Sequence, residues 1–199
     1  MKKNFRIIIC VLIGIGVGLL TGYLRAYNPV SFWAFSDIAG RYGFWIFTVS
    51  LIAYFAENKK AARINSFVYM FCMCLAYYGY LYDVKGFLYV KQFIFWCIFA
   101  VIAAGYAMLI RDAKNHQRRR DRVICVIPLS LLAIEFMEML YFFARSQTNF
   151  FQLIVDFAGA VVLGILFLRK RQNKYKFMVL GSTFLITAIV CVIFWILWL

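Results

Sequence analysis

The segment RDAKNHQRRRDR, residues 111 to 122, is the longest hydrophilic run in the chain, and it separates the apolar runs 87 to 110 and 123 to 144. Each of those runs is long enough to cross a bilayer, which takes about 20 mostly apolar residues. A short loop carrying six cations between two spans belongs on the cytoplasmic side, because translocated loops shed positive charge. The segment therefore sets both the fold class and an orientation for its neighbours.

Working outward, the same rhythm recurs. Spans are expected at 5 to 24, 38 to 57, 64 to 82, 87 to 110, 123 to 144, 150 to 168 and 177 to 199. With the N-terminus inside, the inner segments hold Lys2, Lys3 and Arg6, then Lys59, Lys60 and Arg63, then the six cations of 111 to 122, then Arg169, Lys170, Arg171, Lys174 and Lys176. That leaves Arg25, Arg41, Lys85, Lys91 and Arg145 outside. The predicted architecture is an all-α polytopic bundle of seven spans, N-terminus in and C-terminus out, forming a single domain over residues 1 to 199. The second span is the shortest. Its clean apolar part runs only from Gly43 to Ala56, so Ser31 to Tyr42 is expected to complete it as an interfacial or re-entrant piece. Without that crossing the count falls to six, and every later loop takes the wrong sign of charge.

Composition excludes other classes. The chain is 65% hydrophobic and 20% aromatic, outside the range of ordinary soluble domains. Its net charge of +14 is spread over short segments beside apolar runs rather than along one face, so anionic lipid headgroups, not nucleic acid, are the expected counter-charge. The six cysteines all fall within apolar runs without a CxxC pair or a Cys/His cluster, and they read as small buried residues rather than disulfide or zinc partners. No metal and no cofactor is expected. The apolar N-terminus has no convincing cleavage site after Leu20 and reads as a retained first helix.

Ionisable residues inside a membrane are costly and are functional candidates by default. Here they are Glu135 and Glu138 in the fifth span and Asp156 in the sixth. Glu135 and Glu138 are three apart and share a helix face that continues to Arg145. Spans five and six form an antiparallel hairpin, and positions 138 and 156 are symmetric about residue 147, so both lie about 9 Å from the outer end. Three carboxylates in low dielectric cannot all stay charged cheaply, so a shared proton, a bound cation or a basic partner is expected. Pairing with Arg145, Lys91 or Arg41 would make the acids purely helix-registering; a cation or solute site would make them functional.

A second candidate lies at the outer mouth, where Asp37 and Arg41 are one helical turn apart with Trp33, Tyr42 and Trp45 around them. Gly14, Gly18 and Gly22 form a small-residue stripe for helix packing, and Ala160 and Gly164 extend from Asp156 as another. The single histidine, His116, lies in the cytosolic loop, which removes Ser/His, Cys/His and His-metal catalysis from the membrane. An enzyme is not expected.

The stretch SFWAFSDIA (31 to 39), followed by YGFWI (42 to 46) and Asn65-Ser66-Phe67, resembles a family of small Gram-positive bacterial integral membrane proteins of unknown function over the first 90 residues or so. That resemblance implies a bacterial plasma membrane and carries over no site residue. Size and basic loops are also similar to the substrate-capturing membrane subunits of energy-coupling-factor vitamin transporters, which have six spans. The function expected is a small-solute-binding or transport component, with membrane lipids and a second copy or a transporter partner subunit as partners. The alternative is a structural or regulatory membrane protein whose acids form ion pairs, and behind both stands a lipid-acting membrane enzyme.

Overall fold

A computed structural model describes residues 2–27, 40–114, 116, 118–169 and 171–198, and these contain no strand. The described residues form seven helices: α1 (Lys2–Tyr27), α2 (Tyr42–Phe55), α3 (Lys59–Lys85), α4 (Val90–Ala113), α5 (Arg119–Ser146), α6 (Phe150–Leu168) and α7 (Asn173–Trp198). Six of them, all but α2, are long and apolar enough to cross a membrane.

Local chemistry explains the boundaries. The Asn58 side chain caps α3 by accepting from the Ala61 amide at 2.8 Å, and Gly86 ends that helix in the left-handed region at φ 72°, where glycine has no Cβ to clash. Asp121 accepts from the Arg118 amide at 2.9 Å to start α5. The turn into α6 uses Gln147 and Asn149, both at positive φ.

One end of the bundle gathers charge. Arg6 pairs with Glu57 at 3.4 Å, and Asp112 receives Lys59 at 2.8 Å and Arg120 at 2.6 Å. Lys114 donates to the Tyr54 carbonyl, Arg111 to that of Glu57, and Arg171 to those of Ala113 and Lys114. Cations thus sit on the closing carbonyls of α2 and α4, where the helix dipole is negative. These contacts join the starts of α1, α3, α5 and α7 to the ends of α2, α4 and α6. Helix α2 therefore runs opposite to α1 and keeps the alternation of a seven-helix chain, although its 14 residues span only about 21 Å.

Gly14 and Gly18 press α1 against α3. A methyl on Gly14 would lie 2.5 Å from the Tyr69 carbonyl oxygen, and one on Gly18 would meet the Met73 carbonyl and lie 2.8 Å from Ala76 Cβ. Gly22 faces Tyr80 in the same way. The second expected stripe is displaced by one residue. Buried positions on α6 include Asp156, Gly159 and Leu163, and the ring of Phe47 on α2 lies 3.3 Å from where a Gly159 Cβ would stand. Ala160, partly buried, also packs against the core, and with Gly164 it borders an open groove of about 580 Å³ between α5, α6 and α7.

Pro128 lies inside α5 and cannot donate to the Ile124 carbonyl one turn earlier. The Tyr106 hydroxyl of α4 donates to that carbonyl instead. In a membrane no water is present to do so, and the substitution clasps α4 to α5.

Candidate functional site

The start of α2 is where the expected acids meet. Asp156 lies about 9 Å into α6 from its first residue. That depth plus the length of α2 matches the roughly 30 Å hydrocarbon core, so α2 rises from the charged end and stops level with the acids. Its first amides have no helical acceptor and its dipole is positive there.

Gly43, one residue into α2, makes the approach possible. A Cβ on Gly43 would lie 2.5 Å from Glu135 Oε2 and would collide with Asp156 Oδ1. Both carboxylates therefore lie against the same backbone atom, and any side chain there would have to push their ends aside. Glu135 and Asp156 are 0% exposed, and Gln152, one turn before Asp156, is 1% exposed. Gln152 Nε2 donates to Asp156 Oδ1 at 2.8 Å. Beyond that bond, Glu135 Oε1 and Oε2, Asp156 Oδ2 and Gln152 Oε1 are buried with no hydrogen-bond partner. The Gly43 amide faces the Glu135 carboxylate. The centre is thus rich in acceptors and short of donors, and an unmet buried acceptor is expensive. It needs a proton, a cation or a ligand donor.

Glu138 stands apart from that centre. It accepts from Arg41 Nη1 at 3.0 Å, with both side chains about a quarter exposed. The two sites expected separately, the carboxylates and the outer mouth, are therefore one site, joined through Arg41 and Gly43. Asp156 shares Gly43 with Glu135, while Glu138, the acid placed at its depth by sequence symmetry, turns to Arg41. Arg145 is not brought to the acids. It donates to the Tyr141 hydroxyl at 2.8 Å on its own helix. Trp33 and Asp37 lie outside the described residues. Trp45 is buried, 2% exposed, and stacks on Trp96 with ring centres 4.7 Å apart. Among the described residues no group of three His, Cys, Asp or Glu is placed to hold a metal ion.

That tryptophan pair lines an apolar cavity of about 530 Å³ between α2, α4 and α5, with Phe95, Phe99, Tyr106 and Tyr42 among its walls. On α5 the wall residues Ile127 and Leu131 continue at i+4 into Glu135, one turn further on the same face. Tyr42 borders the cavity and is within electrostatic reach of Glu135, Glu138 and Asp156. Gly43, Gln152 and this cavity are absent from the sequence reading. Gln152 had a signal, being a polar residue one turn from Asp156 within an apolar run; Gly43 had none, because its neighbours come from α5 and α6.

The family model for a family of unknown function (DUF6518) matches residues 1–198. The chain belongs to that family. No curated protein and no solved structure matches it. Membership agrees with a membrane bundle of uncharacterised activity, and the functional reading rests on the geometry at Gly43.

Proposed function

We propose that the chain is a small-solute-binding or transport component of a bacterial plasma membrane, oriented with its basic end in the cytoplasm, and that Glu135, Asp156 and Gln152 form its binding centre. The observation that carries this reading is the group of four buried, unpartnered oxygens at the start of a helix too short to span. A helix-registering ion pair satisfies its own groups; this centre does not. The alternative, in which the acids hold helices in register, is favoured by the Arg41–Glu138 pair and by the reach of Arg41's charge to Glu135 and Asp156. No catalytic role is assigned.

The test is thermal unfolding of the purified protein with a panel of inorganic cations and small amines, in wild type, Glu135→Gln and Asp156→Asn. A bound ligand at a hundred times its dissociation constant stabilises the folded state by about 2.7 kcal/mol. The expected result is a ligand-dependent rise in melting temperature that both variants lose while remaining folded. A wild type that no ligand stabilises, with variants that are simply less stable, would establish the registering role instead.

A further inference from the structure

We infer that the solute is a lipophilic organic cation, its apolar body held in the aromatic cavity between α2, α4 and α5 and its charge presented to Glu135 and Asp156 past Tyr42. This rests on the binding centre proposed above and names the class of ligand that fits it.

Three independent observations converge. The first is size: about 530 Å³ lies within the range of small-molecule pockets. The second is the lining. Trp45, Trp96, Phe95, Phe99, Tyr42 and Tyr106 surround the space, and aromatic faces attract cations while remaining compatible with hydrocarbon. The third is what lies one helical turn beyond its wall. The i, i+4 row from Ile127 through Leu131 leads to Glu135, where buried oxygens from two acids and from Gln152 lack donors. An acyl chain would fill the cavity but leave those oxygens unmet. An inorganic ion would meet the oxygens but leave the cavity empty. A cation with an apolar body satisfies both, and a protonated amine would also supply the missing N–H donors.

Access is from the bilayer plane. The cavity walls include Phe95 and Ile102, 60% and 62% exposed on α4, on the side turned to lipid. Lipophilic cations concentrate in membranes of negative surface potential, so the ligand is delivered to the opening. Arg41, held on Glu138, stands beside the centre and keeps the third carboxylate from adding to its charge. The net negative charge offered to the ligand is thereby set by Glu135 and Asp156.

The experiment uses the full chain in lipid nanodiscs, with equilibrium dialysis of tetraphenylphosphonium and of tetraphenylborate, an anion of the same shape. Quenching of the Trp45–Trp96 pair is the second readout. The cation is expected to bind saturably and the anion not to bind. Glu135→Gln should weaken the cation by about tenfold, the loss of one full negative charge opposite it. Ala103→Phe, which fills the cavity, should abolish binding; Ala103→Leu serves if the larger side chain prevents folding. Equal binding of cation and anion, both removed by the filled cavity, would overturn the inference and identify the space as a site for lipid chains. Absence of tetraphenylphosphonium binding, with acid-dependent stabilisation by small cations retained, would overturn it while leaving the binding centre standing. If small cations also fail to stabilise the wild type, both readings fall.

Discussion

Two trios of carboxylates sit at different levels of the bundle and live under opposite conditions. Glu57, Asp112 and Asp121 lie at the charged end, each near cations or a helix-start amide. Glu135, Glu138 and Asp156 lie within the apolar depth and share Arg41 through one pair to Glu138. At the charged end, Glu57 and Asp112 are paired with cations and partly hydrated, so each pair adds little, while Asp121 is fully buried with Oδ2 on the Arg118 amide and Oδ1 without a hydrogen bond. At the buried level Glu135 and Asp156 are dry, and three of their four oxygens lack a hydrogen bond, which folding alone would not favour. The contrast separates charges that join helices from charges held for something that arrives.

That contrast can be broken by experiment. The largest effect is expected at Gly43→Ala, whose methyl must displace both buried carboxylates. A loss of about 3 kcal/mol of stability, as for severe overpacking, and of all ligand response is expected by thermal unfolding in detergent. An unchanged melting temperature would show that the acids do not crowd that backbone.

Next, Arg41→Met should cost about 2 kcal/mol, because it leaves Glu138 without its partner beside two other acids. The double variant Arg41→Met with Glu138→Met should recover most of it; a double variant as unstable as the single one would deny the pair its role.

The α4–α5 clasp gives an effect of about 1–2 kcal/mol. Tyr106→Phe abandons the Ile124 carbonyl, and Pro128→Ala in that background should restore stability by returning an amide donor to it. Urea or thermal denaturation of the four-variant cycle reads the coupling.

Glu135→Gln reverses the usual sign. With no ligand present, removing a buried unpartnered charge should raise stability by about 1 kcal/mol, while ligand stabilisation disappears. A plain loss of stability would place Glu135 with the registering acids. Smallest of all, Arg120→Gln at the charged end should change stability by less than about 0.5 kcal/mol, and that difference should shrink further in high salt.

Much of the helix pattern was legible because it depends on local sums. Apolar length places the helices, and the cations of 111 to 122 and their counterparts place the connections, which the structure brings together at one end. The short second span was visible too, since Gly43 to Ala56 cannot reach across. What it would do was not visible. A sequence measures how long α2 is, but not which side chains from α5 and α6 meet its first turn.

Faces within a helix were less legible than the helices themselves. Successive residues are rotated by about 100°, so a stripe assigned one position off points to a different neighbour. Ala160 and Gly164 were the expected packing stripe beside Asp156, yet Gly159 and Leu163 turn toward the core. Trp45 was expected around the outer mouth, and its neighbour Trp96, 51 positions away, makes it a cavity wall. Arg145 shares the glutamate face on paper, and a nearer hydroxyl on Tyr141 takes it.

The sequence by itself determined that this is a membrane bundle, where its helices run, how its charge divides between loops, and which three acids are costly. Hydropathy and charge are properties of segments, and they need no partner to be read. Only the tertiary structure decided that Glu135 and Asp156 meet at Gly43, that Glu138 goes to Arg41, and that an aromatic cavity opens one turn away. Those outcomes depend on helix rotation, depth and crossing, which are settled by packing between segments far apart in the chain.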